Sequence, residues 1–339
     1  MIRLRNISKI FDDQTKAVND ISFHVKKGET FGLIGTSGCG KTTTLKMINR
    51  LVEPTSGLIK IDGKDVTSQK PEVLRRRIGY VIQDIGLFPH YTIKENIATV
   101  PSLLDWDIER IQARVKELLE LVGLSPNTYA DRLPQTLSGG QQQRVGLARA
   151  LAADPPIILM DEPFGALDPI TKREIRGEVR KLFEQINKTI VLVTHDIFEA
   201  FEMCDRLCLL DDGILQQVGT PRELLFNPAN NFVDSFFASN RFQLELLSIR
   251  LSDVLTENNS LGERELYWSP PLSEEHTYHQ IEEDKPLYNV LEEMEQSRES
   301  NIKIIHRIDG KVIDSLGFSD ILNRFQTYKK QLKTGGDHG

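Results

Sequence analysis

Apolar and polar positions alternate near the start of the chain, through Ile2-Leu4, Ile21-Phe23-Val25 and Phe31-Leu33. This predicts two or three strands, with Lys27-Gly28-Glu29 as the turn between the last two. A helix begins after residue 42, and Glu53-Pro-Thr-Ser-Gly57 closes it. Leu58-Ile-Lys-Ile-Asp62 is a strand ending in the Asp62-Gly63 turn, and Ile78-Gly-Tyr-Val-Ile82 is a second, apolar throughout. Ile108, Ile111, Val115, Leu118, Leu119 and Val122 recur at helical spacing and predict a helix over 107–122. A further helix over 141–153 completes a helical subdomain inserted between the strands. Pro156–Met160 and Thr189–Val193 are short continuous apolar runs, the mark of strands buried on both faces. The order describes an α/β fold.

The chemistry collects at the ends of these strands. Thr30–Ile34, the run Gly35-Thr36-Ser37-Gly38-Cys39-Gly40-Lys41-Thr42 and a helix from Thr43 make a strand, a glycine-rich turn and a helix start. That order makes a phosphate cradle, because backbone N–H groups converge at the positive end of the helix. Lys41 is placed for the β- and γ-phosphates, and the Thr42 hydroxyl for Mg²⁺. Gln83 follows one apolar strand, Asp161-Glu162 another and Thr194-His195-Asp196 a third. In an open α/β sheet this carboxyl edge faces the ligand. Adjacent acids closing a buried strand are costly unless they serve a charge. Asp161 suits Mg²⁺, and Glu162 suits an attacking water. Ser138 caps the 141–153 helix within Leu137-Ser138-Gly139-Gly140-Gln141, a second anion-ready helix start. Phe11 falls in the loop between the early strands, where an aromatic serves equally as core or as a face for a purine.

Composition narrows the class without choosing the function. The chain has 339 residues, enough for two domains, with 39% hydrophobic and 27% charged residues, as in soluble globular proteins. A formal charge of −7 disfavours nucleic acid as partner. Beyond residue 240 there are 12 Lys+Arg against 18 Asp+Glu, so the tail carries most of the acidic excess. Three cysteines, Cys39, Cys204 and Cys208, are too few for a disulfide scaffold and fit a reducing cytosol. No run approaches the 18 or so apolar residues of a membrane span, and Met-Ile-Arg-Leu-Arg-Asn lacks a signal-peptide core, so the expectation is a soluble cytosolic chain.

Together these elements resemble the ATP-binding subunit of ABC transporters over residues 1–240. The phosphate loop is Gly35–Thr42, the Q-loop is Gln83 and the signature Leu-Ser-Gly-Gly-Gln stands at 137–141. Walker B is Ile157–Asp161 with Glu162 next, the D-loop is Ala166-Leu167-Asp168 and the switch histidine is His195. The resemblance implies a P-loop ATPase fold with an inserted helical subdomain, ATP and Mg²⁺ as cofactors, and transport-coupled hydrolysis. Glu162, His195 and Gln83 would be catalytic. Thr42, Gln83 and Asp161 would hold the metal. Phe11, residues 35–43, Ser138, Gly139, Gly140, Gln141 and Asp168 would bind nucleotide, Phe11 by stacking on adenine. Two copies would pair head to tail, Ser138 and Gly140 of one capping the γ-phosphate held by the other.

Met47–Gly57, Ile78–His90, Thr92–Asn96 and Val100–Trp106 are similar to the osmoprotectant importers for glycine betaine, carnitine, choline or proline. That implies integral membrane permease partners, a substrate-binding protein reached indirectly, and a place on the cytoplasmic face of the membrane. Polar amino-acid importers share parts of this pattern. Soluble ABC proteins acting on nucleic acid or ribosomes usually carry two cassettes or a coiled coil between phosphate loop and signature. Here one cassette and no heptad run are present.

After Asn240 the pattern changes. Residues 256–286 are rich in Glu, Ser, Asn and Pro. A helix over 286–294, an alternating strand over 302–308, an Asp309-Gly310 hairpin, a strand over 311–316 and a short helix over 318–325 follow. The order resembles a single CBS module from about 247 to 330, its first half degenerate, with Ser319 and Asp320 where that family holds an adenine nucleotide. The expected domains are 1–240, ATP-binding, and 241–339, a small α+β accessory domain that packs or regulates.

Overall fold

The computed structural model describes residues 1–83, 86–165, 167–255, 280–297, 301–306, 308, 310 and 312–334. The chain divides into two compact units, Met1–Thr220 and Pro221–Gly339, a boundary earlier than residue 240.

The first unit holds two sheets. β1 (Ile2–Ile10), β2 (Lys16–Val25), β4 (Ser56–Ile61) and β5 (Lys64–Asp65) form an antiparallel sheet in the order β2-β1-β4-β5, while β3 is Thr30–Gly35. The second sheet joins that β3 to β6 (Ile78–Val81), β7 (Ile157–Asp161), β8 (Thr189–Val193), β9 (Arg206–Asp211) and β10 (Ile214–Gly219) in the order β10-β9-β3-β8-β7-β6. Its strands run parallel except the edge strand β10.

The expected alternation holds in β1 and β2, which bury Ile2, Leu4 and Ile7 and Ile21, Phe23 and Val25 on one face. It does not hold at Phe31-Leu33. Thr30 to Ile34 are all buried, because a parallel strand in mid-sheet is covered on both sides. One core joins the two sheets, and Phe23 stacks on Phe31 with ring centres 5.1 Å apart.

Helix α1 (Lys41–Ile48) follows the phosphate loop and stops well before Pro54. Arg50 takes a left-handed φ of 56°, and the Leu51 N–H donates to the Lys46 carbonyl, a Schellman-type end. After α2 (Pro71–Arg75), the helical subdomain is α3 (Ile93–Leu103), α4 (Ile108–Leu121), α5 (Pro126–Tyr129) and α6 (Gly139–Leu151), with α3 and α4 packed on α6. The sequence reading passed over α3, although Thr92-x-x-Glu95 before Ile93 and Ile97 is a capping box, and both of its hydrogen bonds form. It also passed over α7 (Pro169–Ile186), which precedes β8, while α8 (Ile197–Met203) links β8 to β9. Cys204 and Cys208 flank the α8–β9 junction, and all three cysteines are free and buried.

The second unit opens with α9 (Pro221–Phe226), which packs on both α10 (Asn231–Phe236) and α11 (Arg241–Ser248), followed by α12 (Leu251–Leu255). Three strands, β11 (Gln280–Glu282), β12 (Asn301–Ile305) and β13 (Val312–Gly317), form a small sheet. β11 runs parallel to β12 across α13 (Leu287–Ser297), and β12 pairs antiparallel with β13. The strand expected over 302–308 ends at Ile305, and Ile308 is 88% exposed. The helix expected over 318–325 runs on as α14 (Phe318–Thr334), because Ile321, Phe325, Tyr328 and Leu332 continue its apolar stripe onto the core of this unit. Of the 256–286 stretch, residues 256–279 lie outside the described residues, as do Asp309 of the expected hairpin and Ala166 of the expected D-loop.

Candidate functional site

A cleft of about 520 Å³ opens at the carboxyl edge of the parallel sheet, lined by Ser37, Gly38, Cys39, Gly40, Lys41, Thr42, Thr43, Glu162 and His195. The turn that builds it requires glycine. Gly35 has a φ of 144°, and a Cβ there would lie 1.9 Å from the Leu210 carbonyl oxygen. Gly40, with a φ of 95°, would place a Cβ 2.3 Å from the Ala17 oxygen. Gly40 is also the N-cap of α1 and offers no side chain to its first N–H groups, which leaves them to an anion.

Lys41 is 7% exposed, and its ammonium donates to the carbonyls of Gly35 at 3.0 Å and Thr36 at 2.7 Å. Beside it the Thr42 hydroxyl donates to Asp161 Oδ1 at 2.7 Å, bringing α1 and the end of β7 together. Among the described residues no group of three or more His, Cys, Asp or Glu could hold a metal. The Thr42 and Asp161 oxygens are hard donors that fit Mg²⁺ sharing its sphere with phosphate and water.

Glu162 joins two other residues singled out in the sequence. Its Oε2 is 3.0 Å from His195 Nδ1, at the end of β8, and 3.4 Å from Gln83 Nε2, after β6. The structure also shows what no motif stated: Glu162 has a left-handed φ of 47°. Its N–H donates to Val193 O on β8 and its carbonyl accepts from Gly165, which hold the backbone in that conformation. A non-glycine residue held there is sterically costly; Arg50 takes the same conformation at the end of α1, whereas Glu162 takes it at the cleft.

Ser138, Gly139, Gly140, Gln141 and Asp168 do not line the cleft, nor does Phe11. Ser138 and Gln141 close a capping box on α6, and Gln141 Nε2 donates to Tyr129 Oη at 3.2 Å. Asp168 caps α7, and hydrogen bonds from the Thr171 hydroxyl and N–H hold its carboxyl below the usual range. The Phe11 ring is 39% exposed, with Lys9 Nζ 5.1 Å from its centre. In the second unit, Asp320 Oδ2 accepts the Gly317 N–H at 3.0 Å, at the start of α14.

Three further residues escaped the sequence reading. Tyr80 Oη lies 3.5 Å from Asp161 Oδ2, and burial together with that carboxylate pushes the phenol up. Asn96, fully buried on α3, donates to the carbonyls of Phe88, Tyr91 and Thr92 and accepts the Phe88 N–H, so it folds the chain after Gln83. An Asn four residues after a capping threonine was the available signal. Glu199 on α8 is 1% exposed, and burial pushes its carboxyl up to about 7 despite the neighbouring Lys172.

That shift has a sign. The native chain keeps a proton on Glu199 that the unfolded chain, near 4.5, releases. The stability it contributes is full below pH 4.5, declines as pH rises and is gone above about pH 7. Glu199→Gln is neutral at every pH, so urea denaturation should show the variant gaining on wild type between pH 4.5 and 8, by about 3 kcal/mol. Parallel stability curves for the two proteins would refute the assignment.

Comparisons with known proteins give the family. The ABC transporter family profile matches residues 18–165. The chain is 57% identical over 241 residues to the glycine betaine/carnitine/choline transport ATP-binding protein OpuCA of Bacillus subtilis, covering 71% of this chain and 63% of that one. It therefore spans just under two thirds of that relative's length. The choline transport ATP-binding protein OpuBA of the same organism is 46% identical over 321 residues, 95% of this chain and 78% of its own. Among solved structures, the dimeric ATP-binding cassette MJ0796 bound to ADP and Pi matches with a TM-score of 0.57 and 35% identity, over 65% of this chain and 98% of that one. Clostridium perfringens CbiO1, part of the ABC transporter complex CbiONQ, matches with a TM-score of 0.62 and 25% identity, over 72% and 93%. The chain belongs to the family of ABC transporter ATP-binding proteins.

Proposed function

We propose that this chain binds and hydrolyses ATP to drive the import of a small osmoprotectant, of the glycine betaine, choline or carnitine type, through separate permease subunits. The observation that carries the ATPase reading is the convergence on one cleft of the Lys41 loop, the Thr42–Asp161 pair and Glu162 with both Gln83 and His195. The solute class rests on the names of the relatives.

Phosphoryl transfer to water needs positioning and charge neutralisation more than covalent chemistry. Lys41 and the first N–H groups of α1 hold the β- and γ-phosphates. Thr42, Asp161 and Gln83 would hold Mg²⁺, which would neutralise charge on the phosphate oxygens. Glu162 takes the proton of the attacking water, and His195 and Gln83 orient its carboxylate. Phe11, exposed at the end of β1, stacks on adenine.

One copy does not place Ser138 or Asp168 at its own cleft, which favours head-to-tail pairing. There Ser138, Gly139, Gly140 and Gln141 of one copy close on the nucleotide of the other, beside Asp168. The dimeric state of the MJ0796 cassette supports this arrangement. No helix among the described residues is long and apolar enough to cross a membrane. The relatives' names as transport ATP-binding proteins support a place beside permeases on the cytoplasmic face, with a substrate-binding protein supplying solute on the far side. Residues 1–240 carry the ATPase. Residues 241–339 form the accessory domain, CBS-like from about 247 to 330, with Ser319 and Asp320 as a regulatory nucleotide site.

The test is reconstitution of the chain with its permeases and uptake of labelled betaine, choline, carnitine and proline. ATP-dependent uptake of at least one of them is expected. Uptake of polar amino acids instead would overturn the solute class.

A further inference from the structure

Behind His195 lies a set of charged side chains that the cleft does not use. Lys172, one turn into α7 from the capping Asp168, reaches across to α8. Its ammonium is 2.8 Å from Asp196 Oδ2 and 3.4 Å from Glu199 Oε2. One turn on, Arg176 lies 3.7 Å from the same Asp196 oxygen and 3.0 Å from Glu202 Oε2. The Lys172 side chain is 16% exposed and that of Glu199 2%. Desolvation cancels much of the attraction in such buried pairs, so stability alone is a poor reason for them, and geometry is a better one.

The geometry concerns His195. Its imidazole is 60% exposed and touches Glu162 through Nδ1, so the backbone on either side has to place it. On one side, the Thr194 N–H donates to Leu33 O on β3, and the Thr194 hydroxyl accepts the Asp196 N–H at 2.9 Å. On the other, Asp196 divides its carboxylate, Oδ1 capping α8 through the Glu199 N–H and Oδ2 facing Lys172. Without the ammonium, Asp196 and Glu199 would be two half-buried or buried carboxylates with a shared neighbour gone, and the loop carrying His195 would be the element free to yield.

We propose that Lys172 is a positioning residue for hydrolysis: its ammonium, in contact with both Asp196 and Glu199, pins the His195 loop to the first turn of α7 and so holds the imidazole against Glu162. This rests on the reading of the cleft as an ATPase site. The same turn of α7 begins at Asp168, so a displacement of that cap reaches His195 through a single side chain. Glu199 is the group of the set that titrates near neutrality, and its Oε1 is buried without a hydrogen-bond partner. Facing it or its immediate neighbours are Lys172 and Arg176 from α7, Asp196 and Glu202 on α8, the Thr194 hydroxyl and the buried Cys204 thiol, with Arg173 and Arg180 acting on Glu202.

The test compares the full chain with Lys172→Met, Lys172→Arg and Glu199→Gln, measuring ATP hydrolysis from pH 6 to 8.5 and nucleotide affinity with a fluorescent ATP analogue. Lys172→Met should lose about ten- to a hundred-fold in kcat, with KM and nucleotide affinity within about twofold, since Lys172 does not line the cleft. Lys172→Arg should recover most of the rate. Glu199→Gln should remove an inflection of kcat near neutral pH. A folded Lys172→Met with wild-type kcat overturns the proposal, as does equal loss in both Lys172 variants. If Lys172→Met has no cooperative thermal transition, the Glu199→Gln profile decides, and a profile identical to wild type overturns it. No hydrolysis by the wild-type chain would overturn the ATPase reading itself, and this inference with it.

Discussion

Glu162→Gln is expected to lower kcat for ATP hydrolysis by at least about a hundredfold while leaving ATP affinity nearly unchanged. The amide is isosteric, so the left-handed backbone at this position and its bonds to Val193 O and Gly165 N survive the change. What is lost is the acceptor for a proton. Phosphate binding is assigned to Lys41 and the start of α1, which the substitution does not touch. ATP should therefore accumulate unhydrolysed, and size-exclusion chromatography in ATP should show a persistent dimer of the variant where wild type returns to monomer. Hydrolysis at the wild-type rate would remove Glu162 from the mechanism. In that case its contacts with His195 and Gln83 would be those of a structural carboxylate.

Lys41→Ala is expected to act one step earlier. The substitution removes the charge-assisted hydrogen bonds to the β- and γ-phosphates, roughly 3 kcal/mol for a partly buried ammonium, which is about a hundredfold in affinity. It also leaves the carbonyls of Gly35 and Thr36 without the ammonium they now share. A lowered thermal midpoint should accompany the loss, and cooperative melting separates weak binding from misfolding. Titration with a fluorescent ATP analogue is the measurement. An affinity within threefold of wild type would mean that the loop is not a phosphate cradle, whatever its sequence. The two variants separate cleanly: one binds without turning over, the other fails to bind.

Much of this site was legible in residue order. A glycine run between an apolar strand and a helix start can be read without coordinates, because the turn demands residues that tolerate positive φ and a helix N-terminus demands an anion. Acids and a histidine at the ends of apolar runs were legible for a similar reason: runs that long and that apolar belong in mid-sheet, and their carboxyl ends then share an edge. The capping box at Thr92 was just as local a signal and went unread. Tyr80 gave no such signal, since its partner comes from the end of β7. In the second unit, α14 runs past residue 325 because Tyr328 and Leu332 keep the helical spacing of Ile321 and Phe325, a signal as local as the capping box.

Sequence by itself determined the α/β class, the phosphate loop and the acids at Asp161-Glu162, because each follows from local geometry or short spacing, and the motifs from Gly35 to His195 carried the resemblance to ABC ATPases. Only the tertiary structure decided that Glu162 sits in a left-handed backbone between Gln83 and His195. Nor could residue order reveal that Lys172 spans from α7 to Asp196 and Glu199. The physical reason is common to both. A carboxylate's role depends on which charges and donors surround it, and here those neighbours come from different strands and helices, brought within about 3 Å by the packing of the parallel sheet.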